Sequence, residues 1–117
     1  MITVKDTNYN LKLSIRGCVN LEKKMGMNPV NVLMKMANDA TSMPNISDLA
    51  LIVHEALQPY NHGMSLDDTY TLIDDWFEEG HTLTDLLQLV VSLFMESGLI
   101  PKEQEEDKGK NAKKASK

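Results

Sequence analysis

Three histidines, one cysteine and seventeen carboxylates are the groups of this 117-residue chain that could do chemistry, and their spacing sets the first limits. His54-Glu55 begins like the helix of a zinc protease, where two imidazoles one turn apart hold the metal and the glutamate activates water. Gln58 occupies the position that must supply the second imidazole, so the metal pair is missing. His54, His62 and His81 are too scattered to form a shared site and read as solvated polar residues. Cys18 has no His or Cys neighbour in sequence, which makes it a small buried apolar residue rather than a reactive thiol. There is no glycine-rich phosphate loop, and no GxSxG turn offers a nucleophile for acyl transfer.

The carboxylates suggest calcium next. An EF-hand needs acids at alternate positions, then glycine, then a bidentate glutamate, all in one loop. Here the acids fall as adjacent pairs one to two turns apart: Asp67-Asp68, Asp74-Asp75 and Glu78-Glu79. That spacing belongs to a helix face, and it leaves only weak, non-specific cation binding. A carrier-protein reading rests on Ser65-Leu66-Asp67, which superficially resembles the Asp-Ser-Leu that takes a phosphopantetheine arm. Met64 stands where the aspartate belongs, and plain N-capping by Ser65 explains the serine better. The chain is expected to bind something rather than transform it, with no cofactor and no metal.

The elements that must position these residues are short. At 42% hydrophobic and 25% charged the composition is that of an ordinary soluble domain with a modest core. Aromatics are few, so Leu, Ile, Val and eight Met must fill the interior. A single cysteine excludes an internal disulfide framework and fits a reducing cytosol. No apolar run approaches a bilayer span, and Met1–Lys5 is no signal peptide, so the protein is expected to remain where it is made. The net charge of −5 is unevenly spread: no Lys or Arg lies between Lys35 and Lys102. So acidic a body repels phosphate backbones and favours a basic protein partner over nucleic acid.

Residues 2–15 read as a β-hairpin: Ile2-Thr3-Val4, a turn at Asp6-Thr7-Asn8, then Tyr9, Leu11, Leu13 and Ile15 alternating with polar residues. Alone it would be marginal, so it should pack on helices. A helix over about 16–25 buries Cys18, Leu21 and Met25 and stops at Gly26. Asn28-Pro29 starts the next helix, with Val30, Leu33, Met34 and Ala37 as its buried stripe and Asn38-Asp39 at its end. After the connector 40–46, Ser47 caps a helix to about Gln58 whose core face is Leu49, Ile52, Val53, Ala56 and Leu57. Ile46 and Leu51 are placed as its hydrophobic staple.

The stretch 65–98 then holds two helices of opposite character. Ser65 and Asp68 cap the first, and Gly80 ends it. Leu66, Tyr70, Ile73 and Phe77 form its apolar stripe, opposite the acids. Asp74, Asp75, Glu78 and Glu79 lie in the last two turns, where the helix dipole opposes them. Asp74–Glu78 and Asp75–Glu79 are like-charged pairs one turn apart, each costing about 0.2–0.5 kcal/mol. Acids placed against stability mark either a binding surface, or surface charge that serves solubility or is neutralised by Arg16, Lys23, Lys24 or the Lys-rich tail. Thr82 and Asp85 cap the second helix, Gly98 stops it, and Pro101 prevents continuation. Its apolar arc spans roughly 200°, against roughly 100° for an ordinary surface helix. Either this is the central helix, which a domain so small favours, or Leu89, Val91 and Met95 leave an apolar strip for a partner.

The order of hairpin, helix closed by Gly26, capped helix, acidic helix and apolar helix resembles the tail assembly chaperones of long-tailed phages. The resemblance covers about residues 2–100 and rests on two segments. One is LKLSIRGCVNLEKKMG (Leu11–Gly26), an apolar strand running into a helix with Leu-Glu near a closing glycine. The other is MSLDDTYTLIDDWFEEGHTLTDLLQLVVSLFMESG (Met64–Gly98), a short acidic helix with Leu-Ile-Asp and Glu-Glu-Gly, then a final apolar helix. The resemblance implies a protein of the bacterial host's cytoplasm, absent from the mature virion. Such a protein binds the tape-measure protein, keeps it soluble and helps recruit tail-tube subunits. This chain would be the short, non-frameshifted form. The family carries no motif that assigns individual binding residues.

These readings combine into an α+β, mostly α fold: an N-terminal β-hairpin packed on a compact bundle of about five short helices. Residues 1–100 form one domain, and residues 101–117 form a disordered charged tail. The expected partner surface is Asp74, Asp75, Trp76, Glu78 and Glu79 together with Leu89, Val91 and Met95. The runner-up function is an acidic DNA mimic that blocks a nucleic-acid enzyme, although the acids occupy one helix rather than two phosphate-like rows. The phosphopantetheine carrier comes third.

Overall fold

A computed structural model describes residues 1–38 and 43–101, with the backbone alone for 36–38. The chain opens with β1 (Ile2–Val4) and β2 (Thr7–Tyr9), an antiparallel pair in the register Ile2↔Tyr9, Thr3↔Asn8 and Val4↔Thr7. The loop is therefore only Lys5 and Asp6, both at positive φ (49° and 64°). Two such residues between antiparallel strands make the mirror-image turn whose twist matches that of the strands. The expected turn at Asp6-Thr7-Asn8 is corrected: Thr7 and Asn8 belong to β2.

The expected long second strand is also corrected. Leu11 and Leu13 are buried and Asn10 and Lys12 exposed, so the alternation is real, but this stretch pairs with no strand among the described residues. It is fastened instead by Lys12 N–H donating to the Ala56 carbonyl at 2.9 Å. Ile15 is exposed and starts α1 (Ile15–Met25), because the Ser14 side chain accepts from Gly17 N–H and begins the helix there. Cys18 and Leu21 face the core, and Gly26 closes α1 in the left-handed conformation, its N–H donating to the Glu22 carbonyl.

The expected helix start at Asn28-Pro29 is displaced: Pro29 and Val30 form a turn, in which the Asn28 side chain accepts from Val30 N–H at 3.0 Å, and α2 (Asn31–Asn38) begins after it. Its buried residue is Val32, whereas Val30 and Leu33 are half-buried and Met34 is exposed. Among the described side chains Val32 is buried in the core and Leu33 packs against it, so the expected stripe is displaced. Ala37 and the helix end at Asp39 lie outside the described side chains and residues.

The central helix is α3 (Ile46–Leu57), which packs against α1, α4 (Leu66–Glu78) and α5 (Leu83–Ser97). The expected face Leu49, Ile52, Val53, Ala56 and Leu57 is buried, and Ala50 joins it. Because α3 is covered on three sides, α5 does not have to be the central helix. Asn45, not Ser47, sits at the N-cap of α3, without a side-chain hydrogen bond, and Ile46 is exposed rather than stapled. Both later helices carry full capping boxes, Ser65 with Asp68 and Thr82 with Asp85, and Gly98 closes α5 in the left-handed region.

One core runs from Val4, Leu11 and Leu13 through α1 and α3 to Leu72, Ile73 and Trp76 of α4 and Leu86, Val90, Leu93 and Phe94 of α5. Leu99 and Ile100 fold back onto it, their N–H groups donating to the Phe94 carbonyl. The hairpin lies on α4 through β1. No described helix is long and apolar enough to cross a membrane. The expected tail disorder concerns residues 102–117, outside the described residues.

Candidate functional site

The face that α4 buries is rotated by nearly a quarter turn from the expected stripe. Thr69, Leu72, Ile73 and Trp76 are buried, whereas Tyr70 is 43% exposed and Leu66 and Phe77 are half-buried. Leu72 and Trp76 offer more apolar surface than Leu66 and Tyr70, and burying Thr69 costs little because its hydroxyl donates to the Ser65 carbonyl at 3.1 Å. Trp76 therefore does not belong to a partner surface. It is 6% exposed, and its ring stacks on His81 with centroids 4.3 Å apart.

Apart from Asp68, which closes the capping box with Ser65, the rotation sorts the acids into two sets. Asp75 and Glu79 turn toward the hairpin. Lys5 Nζ lies 3.5 Å from Asp75, and Lys5 N–H donates to the Glu79 carboxylate at 2.6 Å. Among the described residues the cation paired with this end of α4 is thus Lys5, and the Lys-rich tail lies outside them. Neither Arg16 nor Lys23 is paired with α4 among the described residues, and Lys24 pairs instead with Glu55. Asp67, Asp74 and Glu78 form the outward ridge; all three are exposed and have no ion pair among the described residues. Tyr70 stands beside this ridge, one turn before Asp74. The patch sets a row of carboxylates next to an aromatic ring, an arrangement suited to Lys or Arg side chains and their alkyl stems.

Leu89, Val91 and Met95 are all half-buried. Leu89 and Val91 lie about 160° apart around α5, on opposite flanks of its buried face, so the three form no single strip. Part of the breadth of the apolar arc is explained by packing, since Leu83, Leu87 and Leu89 are set against the core, whereas Val91 and Met95 are not among the described residues packed there.

A second polar cluster lies between α1 and the end of α3, in an open groove of about 590 Å³ that includes Arg16, Asn20, Lys24, His54, Glu55 and His62. Glu55 is buried, 3.5 Å from Lys24 Nζ, and accepts from Asn20 Nδ2 at 3.2 Å. Two histidines that are distant in sequence thus share a groove wall, each beside a backbone carbonyl. His54 Nε2 is 3.0 Å from the Met64 oxygen, and His62 Nδ1 is 3.4 Å from that of Gln58. His54 Nδ1 is buried and has no hydrogen-bond partner among the described residues. Among the described residues no three His, Cys, Asp or Glu side chains are grouped to hold a metal ion. Ser65 uses its hydroxyl to accept from Asp68 N–H at 2.9 Å, the capping role.

Cys18 is buried on the core side of α1. Burial pushes its thiol pKa up, and the Glu22 and Glu55 carboxylates push it further, against a lowering backbone hydrogen bond. Sequence reasoning missed the clamp at Lys5, which depends on a contact between residues 74 positions apart. It also missed the exposed apolar residues Ile15 and Tyr60, 67% and 56% exposed. The exposure of Ile15 had a signal, since Ser14 is a competent N-cap directly before it.

The chain belongs to a family of unknown function, DUF6096, whose model matches residues 1–117. No curated protein and no solved structure matches it.

Proposed function

We propose that the chain is a tail assembly chaperone of a long-tailed phage or prophage, and that the α4 ridge of Asp67, Asp74 and Glu78 with Tyr70 receives basic amphipathic segments of the tape-measure protein. The observation that carries this reading is the division of the acids on α4. Asp75 and Glu79 are engaged by Lys5, whereas the ridge stays exposed and without ion pairs among the described residues. Of these, Glu78 lies in the last turn, where the helix dipole disfavours a negative charge, so a cationic partner relieves a standing cost. The hairpin, α1, the acidic α4 and the apolar α5 follow one another in the order on which the resemblance rests, with α2 and α3 between α1 and α4, and this adds support.

In this role the protein acts in the cytoplasm of the bacterial host, holds the long tape measure soluble, helps bring tail-tube subunits to it, and is left out of the finished virion. Co-expression with the tape-measure protein of the same tail gene cluster tests the proposal. A soluble complex recovered through a tag on either chain is expected. A tape measure that stays insoluble, with nothing recovered, contradicts it.

A further inference from the structure

Residues 102–117 lie outside the described structure, and their charges are sorted along the sequence. Glu103, Glu105, Glu106 and Asp107 come first; Lys108, Lys110, Lys113, Lys114 and Lys117 follow with no acid among them. The helical body has the opposite bias, with no Lys or Arg from residue 36 to residue 101. Many of its acids are engaged locally: Asp68 and Asp85 close capping boxes, Glu55 takes Lys24, and Asp75 and Glu79 take Lys5. Asp67, Asp74 and Glu78 stand together on one exposed face of α4, and at 1.5 Å per residue the row is about 16 Å long. Lys108–Lys113 in an extended chain covers about the same length.

We propose that the basic stretch 108–117 lies on the α4 ridge of its own chain and is displaced when a basic partner segment binds there. The tail leaves from a suitable place. Glu96 and Ser97, at the end of α5, share a groove with Tyr60 of the loop that leads into α4. Residues 102–117 can extend by about 55 Å, more than the 44 Å of the molecule's longest axis, so the lysines can reach the ridge. Single surface ion pairs are weak, but a tether holds the lysines at an effective concentration of about a millimolar, enough to populate the contact. Tyr70, 43% exposed beside the ridge, offers its ring to the lysine stems. The acids at 103–107 are repelled by the ridge and serve as the spacer. The contact does not depend on the tape measure; only its role as a gate rests on the reading proposed above.

Paramagnetic relaxation from a nitroxide on Ser116→Cys, in the 117-residue chain carrying Cys18→Ala, tests the contact in dilute solution. The amides of Asp67, Tyr70, Asp74 and Glu78 should broaden at low salt while those around Arg16 stay sharp. The broadening should vanish at high salt and in Asp67→Lys/Asp74→Lys/Glu78→Lys. A second measurement keeps Cys18: changing the five lysines of 108–117 to Gln should shift the same α4 amides. Broadening that is absent, spread evenly over the surface or retained in the ridge variant overturns the proposal, as does an α4 spectrum indifferent to the Gln changes. Broadening seen only between a labelled and an unlabelled copy overturns the choice of the chain's own tail. With purified tape-measure segment the Gln-tail variant should bind at least about threefold more tightly than the native chain, since its ridge is always free. Equal affinities overturn the gate. A segment that binds neither chain contradicts the tape-measure reading, and the relaxation data still decide the contact.

Discussion

Lys5 N–H donates to the Glu79 carboxylate at 2.6 Å and joins the hairpin turn to the end of α4 across 74 residues of chain. The Lys5 side chain reaches Asp75, one turn earlier on the same face. A two-stranded hairpin is marginal alone, and this clamp, with Val4 in the core, sets it on the helix. The same contact decides how the acidic helix is to be probed, because two of its acids serve the fold.

Glu79→Ala should therefore destabilise the protein by about 0.5–1.5 kcal/mol, the scale of one hydrogen bond with part of its charge screened by solvent. Asp74→Ala, on the ridge, should change stability by no more than about 0.5 kcal/mol. Urea unfolding of the two variants separates them. Equal losses, or a larger loss for Asp74→Ala, would contradict the division of the acids.

Gly17 and Glu55 make a second pair that can be tested. A Cβ on Gly17 would lie 3.2 Å from Glu55 Cγ, tighter than an ordinary contact, while Ala in a helix gains up to about 1 kcal/mol over Gly. In the native background the gain and the crowding oppose each other, so Gly17→Ala should be close to neutral. With Glu55→Ala already made, the crowding disappears and Gly17→Ala should stabilise by about 0.5–1 kcal/mol. A thermal-unfolding double-mutant cycle reads the coupling; strictly additive effects would show that the two side chains do not meet as described.

Cys18 gives a pH dependence of definite sign. Its thiol pKa is raised in the folded state by burial and by Glu22 and Glu55, so folding favours the protonated thiol. The stability this contributes is fully present below the unfolded-state value of about 8.5 and is lost as pH rises through the raised folded value. The stability of the native chain relative to Cys18→Ala should therefore shrink between neutral pH and about pH 10, and iodoacetamide should modify native Cys18 slowly at neutral pH. A relative stability that grows with pH would reverse the sign and contradict the buried placement.

The parts of the fold that sequence reasoning reached are those with local causes. Ser65 with Asp68, Thr82 with Asp85, and the left-handed stops at Gly26 and Gly98 each depend on residues within about one turn, and all are found in place. The core face of α3 was readable because Leu49, Ile52, Val53, Ala56 and Leu57 leave no competing stripe. On α4 two apolar stripes compete, and which is buried depends on how Leu72 and Trp76 meet the rest of the core. The hairpin turn was misplaced because Lys5-Asp6 adopts positive φ without the glycine or asparagine that usually signals it. The split of the acidic face could not be read in advance, since Lys5 meets Asp75 and Glu79 only in the folded chain.

The central claim is that the α4 ridge holds a basic tape-measure segment, and a binding titration on three proteins tests it most directly. Native chain, the ridge variant Asp67→Lys/Asp74→Lys/Glu78→Lys and a control on another face, Glu22→Gln, an exposed residue of α1, are each titrated by calorimetry with purified tape-measure segment at low and high salt. The account predicts a salt-sensitive complex for the native chain and the control, and a loss of at least about a hundredfold in affinity for the ridge variant, whose fold is verified by circular dichroism. A ridge variant that binds as tightly as the native chain, or a native chain that does not bind at all, would contradict it.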